Sequence, residues 1–178
     1  MPTYIVEDSD ALRHLRKSIL AAAEKAALAI RDLANEPAMS LLARMKFQDL
    51  GFHPIDDRRL NLVEQINQTF TYLVSLAAAD YVLAHHVGAA PIQLNLGTSA
   101  GYDLVSMSAG VAGEVFAAVN RTNNRKLAKD LVKVSGADAP HKYVFFHCPA
   151  ESPGCSRLEL FPQVRLVALS ADAVWGSM

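Results

Sequence analysis

Apolar residues along this chain recur first at helical spacing and later at strand spacing. Leu12, Leu15, Ile19, Ala22 or Ala23, Ala26, Ile30 and Leu33 fall three or four residues apart. That stripe predicts a long amphipathic helix over 11–34, capped by Asp8 or Ser9. Pro37 interrupts it, and a shorter helix is expected over 38–50, stopped by Gly51. The loop GFHPIDDRR follows, and Leu62, Val63, Ile66, Phe70, Leu73, Val74, Leu76, Ala77 and Val82 then give a wide apolar face to a helix from about residue 60 to 86. Past the break at 88–91 the period shortens. Strands are predicted at 92–96 (IQLNL), 102–106, 111–119 and 142–147 (KYVFFH), with a short amphipathic helix at 125–134 after a turn at 120–124. Two more strands, 158–161 and 164–169, are expected on either side of Pro162.

The order helix, strand, strand, strand, helix, strand predicts an α+β protein of three layers (αβα) built on a mixed four-stranded core sheet. The whole chain reads as a single domain. Residues 1–50 form an N-terminal helical extension, 51–148 the core, and 149–178 a C-terminal strand pair and tail.

Within that core, the stretch GYDLVSMSAGVAGEVFAAV reads as a hairpin turning at Ser108–Gly110. In a hairpin centred on Ser108 and Ala109, residue 103 faces residue 114. Each strand therefore carries one carboxylate, Asp103 and Glu114, on the same face and close across the strands. Two such carboxylates repel unless something positive lies between them, and a divalent cation is the simplest candidate. Glu114 is followed by an unbroken apolar run, where a carboxylate is rarely buried unless paired.

Composition narrows the classes without choosing a function. With 178 residues, 51% of them apolar and 20% charged, the chain has the makeup of a folded domain. Its net charge of −1 excludes a global basic field, so any nucleic-acid contact must come from a local cluster. The stretch 121–133 is such a cluster, with five basic residues against the acid Asp130. The N-terminus lacks the basic and apolar regions of a signal peptide, and no uncharged apolar run reaches the roughly 18 residues of a membrane helix. The two cysteines, Cys148 and Cys155, are expected to be free thiols. A cytoplasmic protein is the default expectation.

The element order, with Asp on the second strand and Glu on the third, resembles the core of the PD-(D/E)XK nucleases, the restriction-endonuclease-like superfamily. The resemblance covers 60–148. In that family the Asp and the Glu of an E-x-K element bind one or two Mg²⁺ ions, often with a Glu from the first core helix. It implies Asp103 and Glu114 as metal ligands, supported by Glu64, with Mg²⁺ or Mn²⁺ as cofactor and DNA as substrate. Gln93 or the Val115 carbonyl is a further candidate ligand. One position departs from the pattern: Phe116 stands where the family has Lys. In several relatives that lysine has moved to a neighbouring element, and Lys126, near the start of the following helix, is the first candidate for a relocated cation. Arg121, Arg125, Lys129 and Lys133 are then expected to face the phosphate backbone. The competing expectation is a catalytically degenerate module of this fold that binds nucleic acid or a protein without cutting. A homodimer is compatible with either reading.

Other constellations carry less. His141, His147, Cys148 and Cys155 have a spacing that matches no usual zinc pattern. His85 and His86 suit a helix C-terminus. Ser99, Ser106 and Ser108 have no spaced His and acid to form a nucleophilic triad.

Overall fold

The computed structural model describes residues 3–97, 100–122 and 125–176. Ser99 and the last two residues of the expected 120–124 turn lie outside the described residues. In chain order the elements are β1 (Thr3–Val6), α1 (Ser9–Leu33), α2 (Ala38–Phe47), β2 (Gly51–Phe52), β3 (Arg59–Leu60), α3 (Leu62–His85), β4 (Ile92–Asn95), β5 (Leu104–Ser106), β6 (Val111–Ala117), α4 (Lys126–Ser135), β7 (His141–His147), β8 (Gly154–Leu158), β9 (Phe161–Ala168) and α5 (Ala171–Trp175). The chain divides into two compact units, residues 13–72 and residues 1–12 with 73–178, and the boundaries fall inside α1 and α3.

The unit of residues 13–72 is mainly helical. The expected stripe of α1 is buried, with Ile19, Ala22, Ala26 and Leu33 nearly inaccessible. Ala26 and Leu33 pack with Leu62, and with Leu41, Met45 and Leu50 at the margin. Gln65 is fully buried because both ends of its amide are satisfied. Its Nε2 donates to the Ala22 carbonyl at 2.7 Å, and its Oε1 accepts from the Phe52 amide at 2.8 Å. The β2–β3 ladder is therefore tied to α1 and α3 through Gln65.

The other unit is built on a mixed α/β arrangement around a seven-stranded sheet, in the order β1-β4-β5-β6-β7-β9-β8. The expected four-stranded core and its order are thus corrected. Strand β1, four residues long, pairs antiparallel with β4 and extends one edge. The C-terminal pair does not stand apart: β9 runs parallel to β7 from Val164 to Ala168, and β8 closes the edge antiparallel to β9. Pro162 lies inside β9 without breaking it. The parallel ladder begins only at Val164, so the missing Pro162 N–H is not required there.

Strands β6 and β7 form the centre, and both read as buried runs rather than alternating ones. They are parallel, and α4 is their crossover. Its apolar residues Leu131 and Val134 pack with Ala112, Phe116, Val144 and Phe146 on one sheet face. The alternate residues of β7, Tyr143 and Phe145, point the other way and meet Tyr81 of α3 edge-on, at ring separations of 6.1 and 5.4 Å. The turn from β5 to β6 ends on Gly110, whose φ of 60° favours glycine, and a Cβ there would lie 2.7 Å from the Pro140 ring.

Candidate active site

The hairpin register places the two carboxylates as their spacing predicts. Leu104 pairs with Gly113, Val105 with Ala112 and Ser106 with Val111, and the same register sets residue 103 opposite 114. Asp103 sits one residue before β5 and is held by its neighbours. Its carbonyl accepts from the Asn95 amide at 2.9 Å, and Asn95 Nδ2 donates to the Tyr102 carbonyl at 2.6 Å. The Asn95 amide group is braced in turn by Thr3 Oγ1, 2.9 Å from Oδ1. The side chain of Asp103 reaches across the hairpin, and its Oδ2 accepts from the Val115 amide at 2.8 Å.

Glu114 is only 1% exposed, in the middle of β6 and on the sheet face that α4 covers. Across from it, Lys133 Nζ lies 2.7 Å from Oε1 and 2.9 Å from Oε2. Only Oε2 is aligned for a hydrogen bond. The lysine stem comes from solvent, with its side chain 44% exposed, and delivers a charge to a buried acid. One helical turn earlier a second pair repeats the motif in reverse, with both members on α4. Lys126 Nζ is 2.7 Å from Oδ1 of Asp130, a residue 3% exposed whose Oδ2 is buried with no hydrogen-bond partner.

These five groups act on each other. The Glu114 carboxyl is pushed up to about 7, first by burial and then by the Asp103 and Asp130 charges, with Lys133 holding it back. Burial also raises Asp103, against the pull of the Val115 N–H and of both lysines. Asp130 is raised by burial, with Lys126 opposing. Burial works against the Lys126 charge, but the Asp130 carboxylate outweighs it and the ammonium is held above its usual range.

Helix geometry explains why α4 serves three purposes. Leu127, Leu131 and Val134 share one side and enter the core, Lys126, Asp130 and Lys133 lie on the side turned to the hairpin carboxylates, and Arg125, Ala128, Lys129 and Val132 remain outward. Arg125, Ala128, Lys129, Val132 and Lys133 line a shallow depression of about 470 Å³. Arg121 is turned aside into an ion pair, its Nε 3.1 Å from Glu151 Oε1. The motif position Phe116 is a core residue, 3% exposed and stacked on Phe146 at 5.4 Å between ring centroids.

Glu64 lies in the first turn of α3, within residues 13–72. It is exposed, its amide donates to Asn61 Oδ1 at 2.8 Å, and its Oε1 accepts from Gln68 at 3.0 Å. Gln93 is half-buried on β4 and donates to Asn95 Oδ1 at 3.2 Å.

Sequence reasoning missed Asp130 and the direct partnership of Lys133 with Glu114. The signal for Asp130 was its place four residues after Lys126, a spacing that pairs opposite charges on one helix face. Among the described residues no group of three or more His, Cys, Asp or Glu side chains is placed to hold a metal ion. Of the donors that the resemblance implies, Asp103 and Glu114 are the two carboxylates set opposite each other. That chemistry fits Mg²⁺ or Mn²⁺, hard cations commonly bound through one or two carboxylates while keeping several waters.

Comparisons with protein-family models, with characterised proteins and with solved structures give no match to this chain.

Proposed function

We propose that this protein is a divalent-metal-dependent nuclease that hydrolyses phosphodiester bonds in DNA. The observation that carries the reading is the inaccessible Glu114 carboxylate, set opposite Asp103 and met by the Lys133 ammonium. A structural role alone does not call for two acids facing each other across a hairpin, because their repulsion opposes folding. Asp103 and Glu114 would hold Mg²⁺ or Mn²⁺. When bound, such an ion polarises a phosphoryl oxygen and lowers the pKa of a coordinated water.

The chain's own groups supply the rest. Asp103, fixed by the Val115 amide, presents its carboxylate in one orientation. Lys133 is the cation in contact with the site, and it takes the place assigned from the sequence to Lys126. Its ammonium would orient the attacking water beside Glu114 and oppose the negative charge that builds on the phosphoryl group. Lys126 lies two turns away on α4 and is bound to Asp130. Arg125 and Lys129 are exposed beside Lys133 and would bind backbone phosphates flanking the cut; Arg121 would join them only after leaving Glu151. Among the described residues no helix is long and apolar enough to cross a membrane. Cytoplasmic DNA is the substrate this reading implies, and a homodimer would set two such sites on one duplex.

A second reading has its own observation. Phe116 is built into the core at the position of the motif lysine, and both lysines facing the site are already engaged by internal acids. A fold-retaining module that binds nucleic acid or a protein partner without cutting fits those facts. Incubating the protein with duplex and single-stranded DNA and 5 to 10 mM Mg²⁺ or Mn²⁺ (on the order of working concentrations) separates the two. Cleavage lost in Asp103→Asn supports the nuclease, whereas DNA binding with no cleavage under any of these conditions supports the module.

A further inference from the structure

The opposite face of the same sheet carries a second cluster of ionisable groups, and its charge runs the other way. The Tyr143 hydroxyl, on a residue with no exposed surface, takes a hydrogen bond from Arg165 Nη1 at 2.8 Å and lies 2.8 Å from His86 Nε2. The two nitrogens, both 2.8 Å from one oxygen, are therefore no more than twice that distance apart. Arg165 only donates to that oxygen, whereas His86 Nε2 gives it a proton or takes the phenol's according to the state of the imidazole. The His141 ring lies 4.6 Å from the His86 ring, and the Arg165 guanidinium lies over Tyr143 at 5.6 Å.

Arg165, His86 and His141 take part in none of the ion pairs among the described residues. Burial lowers the pKa of His86, and the neighbours that lower it further, His141, Arg165 and His85, are all basic. A half-buried guanidinium beside two imidazoles, with a buried phenol fixing the geometry, is a cluster whose only charges are positive. All of it lies within residues 73–178, on the sheet face opposite Glu114.

We propose that His86, His141 and Arg165 form a binding site for a phosphate oxyanion, either inorganic phosphate or the terminal phosphate of a phosphomonoester. Arg165 spends one N–H on Tyr143 and keeps the rest of its fork, and a tetrahedral oxyanion accepts charge-assisted hydrogen bonds of about 2.8 Å from several such donors at once. The assignment is independent of the reading given to Asp103 and Glu114 and requires no metal.

The test titrates inorganic phosphate into the full chain at constant ionic strength and about pH 6, with chloride as the control, and follows the imidazole resonances of His86 and His141 by NMR. The expected result is a saturable shift of both rings with phosphate only, a rise in the His86 titration midpoint, and binding weakened about tenfold or more in Arg165→Gln. Thermal unfolding checks that the variant is folded; if it is not, His141→Gln makes the same comparison. Phenyl phosphate, run in parallel, distinguishes the sources: tighter binding than inorganic phosphate assigns the site to a phosphorylated ligand, weaker binding to the free ion. Shifts that fail to saturate, that match the chloride control, or that persist undiminished in the folded variants overturn the proposal.

Discussion

Lys133 and Glu114, nineteen residues apart on α4 and β6, meet through a solvent-facing ammonium and a carboxylate that solvent does not reach. The pair makes the acid the most environment-dependent group of the site. Burial and the Asp103 charge favour its neutral form, while Lys133 favours its charged form.

The first prediction concerns pH. With metal removed by a chelator, the Glu114 carboxyl titrates near 7 in the folded chain, against 4.5 for the ordinary group. The folded state then holds a proton that the unfolded state has released, so stability is full below about pH 4.5 and is lost as pH rises through about 7. The size of that loss is about 3 kcal/mol. Glu114→Gln removes the titrating group. Urea unfolding is therefore expected to show stability falling from pH 5 to pH 8 in the wild type and a much flatter profile in the variant, which is the more stable of the two at pH 8. Parallel profiles would show that Glu114 is not the group responsible.

A second prediction separates the two lysines. Lys133→Met leaves the Glu114 charge without its cation and is expected to lower stability by about 1–2 kcal/mol at pH 8, discounted for the exposed stem, and by less at pH 5 where the acid is protonated. It should also slow DNA cleavage about 10²-fold or more. Lys126→Met strips the partner from buried Asp130, costs about 1–3 kcal/mol of stability, and leaves cleavage within about tenfold. Cleavage rates and urea midpoints measured together check this, and the reverse order of cleavage losses would return the catalytic cation to Lys126.

Restoring the family lysine is expected to fail. Phe116 is 3% exposed and stacked on Phe146, so Phe116→Lys removes a core ring and directs an ammonium into apolar surroundings. The expected cost is about 3–5 kcal/mol, read as a fall in thermal midpoint, with no gain in cleavage. A folded, more active variant would show that the β6 position still belongs to the site.

Some of this was legible in the sequence because it rests on local rules. The turn residues at Ser108–Gly110, between two runs of strand-forming residues, set the hairpin register, and with it the Asp103–Glu114 opposition. The apolar run of β7 marked a central strand. The sheet edges were not legible. Strand β1 is four residues whose partner, β4, lies about ninety positions away, and β8 is an exposed strand, Gly-Cys-Ser-Arg-Leu, without an apolar pattern. Pro162 looked like a boundary because its lost N–H matters in a ladder, yet it precedes the part of β9 that pairs with β7. Within the site, Lys126 and Lys133 sit two turns apart on nearly the same side of α4. The rotation at which Leu131 and Val134 seat that helix on the sheet decides which of them meets Glu114, and packing of that kind is not encoded in spacing. For the same reason the sequence shows Asp130 only as the acid among the basic residues of 121–133, and the fold buries it.

The measurement that bears most directly on the carboxylate pair is calorimetric titration with Mn²⁺, in chelator-treated protein without DNA, comparing wild type with Asp103→Asn and Glu114→Gln. The account predicts saturable binding by the wild type and its loss in both variants. Binding undiminished in either variant, or no uptake by the wild type at millimolar metal (on the order of a weak two-carboxylate site), would contradict a metal centre at Asp103 and Glu114.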